Sequence, residues 1–437
     1  MSRIYSRRQA VQLGVSSLAG LTVLGLTSCG SPTAKSGTTK LQLYFWGSAS
    51  RDKLTKKAIS LFQGQHSNIT INSHFTGFDA YWDKLNTQVA GGTMPDLFQM
   101  DMRYVAQYVK QGLLLDLTSS IDSKAINLSD FDQTLLESSK ASGKVYGIPM
   151  GGNYHSWIYD TEMLKDAGGT PPTDDLDWNG FSDYMTKLSK QLKKGVSASN
   201  DASGEIATFE VWLRQHGKEL YTNDGQVNFT ADDVAEWFSF WDKMRKAGAC
   251  VPPDVQASLS GTSGAANSTL IHGKAIFNVT HSNLFDSYQT LTKHALELYP
   301  IPKGSQPGSY LKPSMLISIS SKTKYTDDSA KFIDFITNDP KGVQALGLDR
   351  GVPGGTKARE SLTSQLTTSQ KIVMTFFDRM AQGSRVKGKQ VLDPPGAGDV
   401  QTALTRDSQA VSFGKTSISA GAKSFLSDAQ KAIAQAK

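Results

Sequence analysis

The sequence predicts an α/β fold built on a largely parallel sheet. Three observations carry that prediction: short runs of alternating hydrophobicity, helical apolar spacings between them, and glycines at the junctions. Leu41, Leu43 and Phe45 alternate with Gln42 and Tyr44, the period of a strand, which ends at Trp46-Gly47. Leu54, Ala58, Leu61 and Phe62 then recur at helical spacing, and Gly64 stops the helix. Ile69 and Ile71 open a second strand, broken near Gly77. Trp82, Leu85 and Val89 mark a second helix before Gly91-Gly92. Asp96 to Met100 forms a third strand, and Val105, Tyr108 and Val109 a helix that closes at Gly112. Strands that alternate with helices are joined by crossovers, which make parallel neighbours.

From Asn179 to about Cys250 the pattern becomes helical. Phe181, Tyr184, Met185 and Leu188 share one face, as do Val234, Trp237, Phe238 and Trp241. Those two tryptophans therefore read as core. Strand signals return at Ala275–Val279 and Leu311–Ser320. Phe332, Phe335 and Ile336 mark a helix ended by Asn338-Asp339-Pro340, and Phe425, Ala429 and Ile433 mark a last one.

The chain has 437 residues, of which 38% are hydrophobic and 20% charged, with a mean hydropathy of −0.33. That profile excludes a multi-span membrane protein and a disordered chain. The formal charge is +6, but the lysines and arginines are scattered. A nucleic-acid partner, which needs clustered basic charge, is not expected.

The amino terminus carries Arg3, Arg7 and Arg8, then an uncharged run from Val11 to Leu26, then Thr27-Ser28-Cys29. This is the layout of an export signal. Leu26 to Cys29 resembles the lipobox of bacterial lipoproteins, which implies cleavage after residue 28 and lipidation of Cys29. Ser6-Arg7-Arg8 resembles a twin-arginine start, but Gln9-Ala10 replaces the usual apolar residue, so the export route stays open. Residues 29–39 read as a flexible tether. With Cys29 acylated, Cys250 has no cysteine partner, and the core alone must supply stability.

Catalytic and cofactor motifs are missing. There is no HExxH, no His/Cys cluster and no GxSxG, and the Gly414-Lys415-Thr416 and Gly396-Ala397-Gly398 runs lack their other glycines. No metal and no cofactor are expected. Asp175 to Gly180 matches half of a calcium loop, but Thr186 stands where a bidentate Glu is needed. The simpler reading is a polar turn that caps the helix at Phe181. Asp101 and Glu210 are the carboxylates that a glycosidase reading would pair, although no motif supports them.

Several segments resemble, in order, the carbohydrate-binding branch of the extracellular solute-binding proteins of ATP-binding-cassette importers. They are the strand edge at Trp46-Gly47, Tyr81 to Leu85 running through Ala90-Gly91-Gly92 to Pro95-Asp96-Leu97, and Gln111 to Leu117. Then come Tyr146 to Pro149, Trp157 to Asp160, Asp177-Trp178, Gly273-Lys274-Ala275, and Ala330 to Phe335 with Gly351-Val352-Pro353. The run after Ala275 departs from the family pattern at Ile276-Phe277-Asn278.

The resemblance implies a two-lobe fold with hinge strands and a central ligand cleft. It implies an N-terminal lobe of residues 40–147 and 280–335 and a C-terminal lobe of 148–279 and 336–437. The first crossover would fall near Ile148-Pro149, with the glycine-rich stretch from Met150 to Asn153 leading into the second lobe. The implied function is that of a lipid-anchored, monomeric binding subunit on the extracytoplasmic face of the cell membrane. It would capture an oligosaccharide and hand it to a permease without chemistry. A lipid-anchored carbohydrate-active enzyme and a binder of a non-sugar solute are the alternatives.

Sugars need flat aromatic faces and planar polar groups. Trp46, at a strand end beside Gly47-Ser48, is the leading cleft-facing aromatic, with burial in the core as the alternative; Ser48 lies on the same edge. Asp101 follows a strand end. Arg51 and Arg103 could grip hydroxyls or an acidic sugar. Asn153 and His155 follow the expected crossover, and His281 follows the strand around Asn278. Trp212, Tyr310 and Arg350 complete the candidates.

Overall fold

A computed structural model describes residues 38–137, 139–259, 264–388 and 393–436. The signal-like segment and Cys29 lie outside the described residues. The first elements follow the predicted order: β1 (Thr39–Trp46), α1 (Ala49–Gln65), β2 (Ile69–Thr76), α2 (Phe78–Ala90), β3 (Leu97–Met100) and α3 (Met102–Lys110). Thr39, expected at the end of the tether, already belongs to β1.

The remaining strands are β4 (Ile148–Asn153), β5 (His155–Asp160), β6 (Ser197–Ser199), β7 (Ala275–His281), β8 (Leu296–Pro300) and β9 (Lys312–Ile319), besides a short hairpin at 140–145. They build two main sheets. The first runs β2-β1-β3-β9-β4 and the second β8-β5-β7-β6. In the first, β1 pairs parallel with β2 and β3, but β9 is antiparallel to β3 and β4. In the second, only β6 and β7 pair parallel. The largely parallel sheet that was expected is therefore limited to the βαβ units at the start. Strands that return from far along the chain leave no trace in local periodicity.

Each sheet buries its alternating side chains. Leu41, Leu43 and Phe45 face Phe62 of α1 and Phe332 and Phe335 of α7 (Thr326–Asn338). Tyr44 and Trp46 face the other way, into a cluster with Tyr81, Trp82 and Tyr108. The second sheet packs Trp157 and Phe277 against α4 (Trp178–Ser189), α5 (Ile206–Gln215), α6 (Ala231–Lys246), α9 (Ala397–Ser412) and α10 (Ile418–Ala436). Trp237 and Trp241 lie at the centre of that core, as the helical stripe predicted. Full burial of one such side chain stabilises by roughly 1.5–3 kcal/mol. Asp177 caps α4, its carboxylate accepting from the Gly180 amide at 2.7 Å, which is the turn expected of the aspartate-rich loop.

The chain passes between the sheets at Tyr154, again through residues 301–311, and a third time after residue 346, since α9 and α10 pack on the second sheet. This shifts the expected lobe limits. β4 pairs within the first sheet, so the first crossing follows Asn153 instead of preceding Ile148. β8, expected in the first lobe, pairs with β5 in the second sheet. The helix α8 (Pro340–Leu346), expected in the second lobe, packs Ala345 and Leu346 into the first-lobe core.

The glycines near the crossing have a packing reason. A Cβ on Gly151 would fall 2.5 Å from the Arg350 carbonyl, and Gly152 exchanges two backbone hydrogen bonds with Val352, at 2.7 and 2.9 Å. The segment around Arg350 thus lies directly against the backbone of β4. Tyr154, Ile158, Leu348, Val352 and Phe376 form a further core cluster alongside it.

A candidate ligand cleft between the two sheets

The crossings bring polar side chains of both sheets together. Asp101 follows β3 and caps α3, accepting from the Arg103 amide at 3.0 Å. Its carboxylate also accepts from Arg103 Nε at 3.0 Å and Nη2 at 3.2 Å. Lys312, the first residue of β9, places Nζ 3.7 Å from the same carboxylate. Lys312 is the register partner of Asn153 on β4. One residue past the crossing, His155 stands opposite His281 on β7, their rings 4.9 Å apart. The α5 helix supplies Thr208, whose hydroxyl lies 2.7 Å from His155 Nε2, and Glu210, which accepts from the Tyr310 hydroxyl at 2.7 Å. Arg214, one turn further, lies over the Tyr310 ring.

The charges are arranged in balance. Burial pushes the Asp101 carboxyl up, but Arg103 and then Lys312 overcome this and hold it well below the usual carboxylate range. Burial likewise works against the Arg103 guanidinium, and Asp101 outweighs it, so the cation is held. The His155 pKa is lowered to about 3, first by burial and then by Lys312, with Glu210 opposing. His281 is pushed well below its ordinary value by burial, then by His155, Lys312 and Arg103. Both imidazoles are therefore neutral at neutral pH. Glu205, in the same neighbourhood, is pushed up by burial, with Arg103 opposing.

Three buried atoms here have no hydrogen-bond partner among the described residues: Asn153 Oδ1, His155 Nδ1 and His281 Nδ1. Buried polar atoms normally have partners, so these three are open to a hydroxyl group or a water. Neutral imidazoles and an amide suit hydroxyl groups, because each can donate or accept.

The expected site residues divide into two groups. Asp101, Arg103, Asn153, His155, His281 and Tyr310 meet at the crossings. Five others do not. Trp46 is only 7% exposed and lies in the aromatic cluster, edge-on to Phe78 and Tyr81. It touches the ring of Phe78, over which Arg103 lies. Ser48 caps α1. Arg51 is buried against Asp349, with Nε donating at 2.7 Å, and also donates to the Trp46 carbonyl. Arg350 donates to Thr55 Oγ1 at 2.6 Å and lies over the Phe45 ring, inside the first lobe. Trp212 stacks on Phe209 in the second-lobe core.

Sequence reading missed Lys312, Thr208 and Glu205, and considered Glu210 only as a hydrolytic carboxylate. Lys312 opens a strand beside Pro313, and that position at a crossing was the available signal.

The sequence profile described as bacterial extracellular solute-binding protein matches residues 57–373. The chain belongs to this family. A solved extracellular solute-binding protein family 1 structure from Alicyclobacillus acidocaldarius is 31% identical, with a TM-score of 0.67 over 90% of this chain and 98% of that one. The fold is also similar to that of an oligogalacturonide-binding protein from Yersinia enterocolitica, solved with saturated digalacturonic acid. There the TM-score is 0.81 at 23% identity, over 91% and 99% of the two chains. A binding protein of Brucella abortus strain 2308 is 24% identical over 245 residues, and the match spans 56% of its length. These similarities show the two-lobe fold, and the polar cluster lies between its two sheets.

Proposed function

We propose that this protein is the solute-capturing subunit of an ATP-binding-cassette importer, and that its solute is an oligosaccharide. One observation carries the reading: the buried atoms Asn153 Oδ1, His155 Nδ1 and His281 Nδ1, which lack a partner among the described residues, sit beside the ion-paired Asp101 and Arg103 where the two sheets cross. Inter-lobe clefts are favoured ligand sites, and hinge closure around a ligand is an established motion. The sugar bound by the Yersinia structural relative supports a carbohydrate.

In this reading the protein binds without changing the sugar. Arg103 and Lys312 hold Asp101 ionised, which suits it to accept from hydroxyls and not to act as a general acid. The protein acts as a monomer, held by a lipid on Cys29 at the extracytoplasmic face and partnered by a permease.

Calorimetric titration with a panel of neutral and acidic oligosaccharides, followed by chromatography of the recovered sugar, tests it. Saturable binding with the sugar recovered intact is expected. Turnover would establish the enzyme alternative, and no binding across the panel would overturn the carbohydrate reading. Mass spectrometry of membrane-associated protein should find an acylated amino-terminal Cys29, and Cys29→Ala should release the protein.

A further inference from the structure

The two lobes also touch beside the polar cluster. Tyr104 of α3 belongs to the first lobe, and its ring lies against Trp82, centroids 4.0 Å apart. Facing it is the first turn of α9, from the second lobe. A Cβ on Gly398 would fall 2.6, 2.7 and 2.9 Å from Cε1, the hydroxyl oxygen and Cζ of Tyr104. Two neighbouring contacts join the same surfaces. Lys110, at the end of α3, donates to the Ala436 carbonyl of α10 at 2.8 Å. Asp393, buried just ahead of α9, adds its negative charge to the field that holds Arg103 as a cation.

We propose that Gly398 and Tyr104 form a closing latch: the lobes reach this arrangement only because position 398 has no side chain to meet the Tyr104 ring. The inference rests on the solute-binding reading for its purpose, since the latch sets how readily the cleft closes over a solute. It does not use the residues of the cleft itself. Trp82 backs the tyrosine ring, so the ring cannot retreat without disturbing the aromatic cluster around Trp46. Even one methyl group at position 398 must therefore hold the two helices apart. Moving the lobes apart separates position 398 from Tyr104 and so relieves the clash.

The test is a distance measurement between spin labels on exposed positions of the two lobes. Lys57→Cys and Lys431→Cys carry the labels in a Cys29→Ser background, and Cys250 is buried. Three chains are compared: the labelled parent, Gly398→Ala, and Gly398→Ala with Tyr104→Ala. Each is measured in buffer and with maltotriose, raffinose or digalacturonate. The parent should show a short separation matching the present structure. Gly398→Ala should lower the ratio of short to long separations by roughly ten-fold, in line with the usual penalty for overpacking, and the double variant should restore it. Thermal unfolding of all three confirms that the lobes remain folded. Absence of the short separation in the parent under every condition overturns the latch, as does a Gly398→Ala distribution equal to the parent's. A short separation that Gly398→Ala removes but no sugar enriches leaves the latch standing and counts against the carbohydrate reading.

Discussion

The indole of Trp46 meets Phe78 and Tyr81 edge-on and lies tilted against Trp82, so removing it would empty a space walled by three rings. Trp46→Ala should cost about 3–5 kcal/mol of stability, as large-to-small changes in aromatic cores do. Sugar affinity of the folded fraction should stay near the parent's. Thermal unfolding and calorimetry on one variant check both; an intact melting point with lost affinity would return Trp46 to the cleft surface. Asp101 makes the opposite case. Asp101→Asn keeps an oxygen to cap α3 but leaves Arg103 and Lys312 without their shared anion. Breaking a buried pair from one side costs about 3–5 kcal/mol. Here the loss should appear in affinity as well as in melting, because the same carboxylate belongs to the proposed site.

At the scale of elements, β1, α1, β2, α2, β3 and α3 were legible because each carries its own period and its own stop. The face of Trp46 was not, since both sides of β1 are covered and alternation cannot tell cleft from core. Arg51 and Arg350 were expected in the site, yet they bind Asp349 and Thr55, each nearly three hundred residues away in the sequence. Lys312 reaches Asp101 across a comparable gap in the sequence. Pairings of that kind are made by topology and leave no local pattern. Asp101 was singled out at a strand end and His155 after the expected crossover, and the structure brings both into the polar cluster. Arg51 offers a clean check on the distinction. It ties the start of α1 to the loop at Asp349, so Arg51→Met should lower stability by about 1–3 kcal/mol through lost buried hydrogen bonds. Sugar affinity should not change; a ten-fold loss of affinity at unchanged melting would place Arg51 in the site after all.

For the whole molecule, the meeting of the lobes ties stability to acidity. The folded chain holds His155 at about 3 and His281 well below its ordinary value, while the unfolded chain titrates both near 6.5. Below pH 6.5 the unfolded state therefore binds more protons than the folded state, and stability falls as pH falls through this range. The contribution is fully present above 6.5. Asp101 adds a similar loss only further down, once the unfolded carboxyl begins to titrate near 3.8. Glu205 and Glu297, both pushed up by burial, and His294, raised by Asp160, act in the opposite sense. His294 is half-exposed and its part is screened. Between pH 6.5 and 4.5 the two cleft histidines should dominate, and the melting temperature should drop steadily. His155→Gln with His281→Gln keeps polar, hydrogen-bonding side chains but removes both titrations, so its melting temperature should fall much less over the same range. Each pKa unit of depression corresponds to ~1.4 kcal/mol, which makes the difference between the two curves readily measurable. Parallel curves for parent and double variant would show that the imidazoles are not held neutral where the lobes meet.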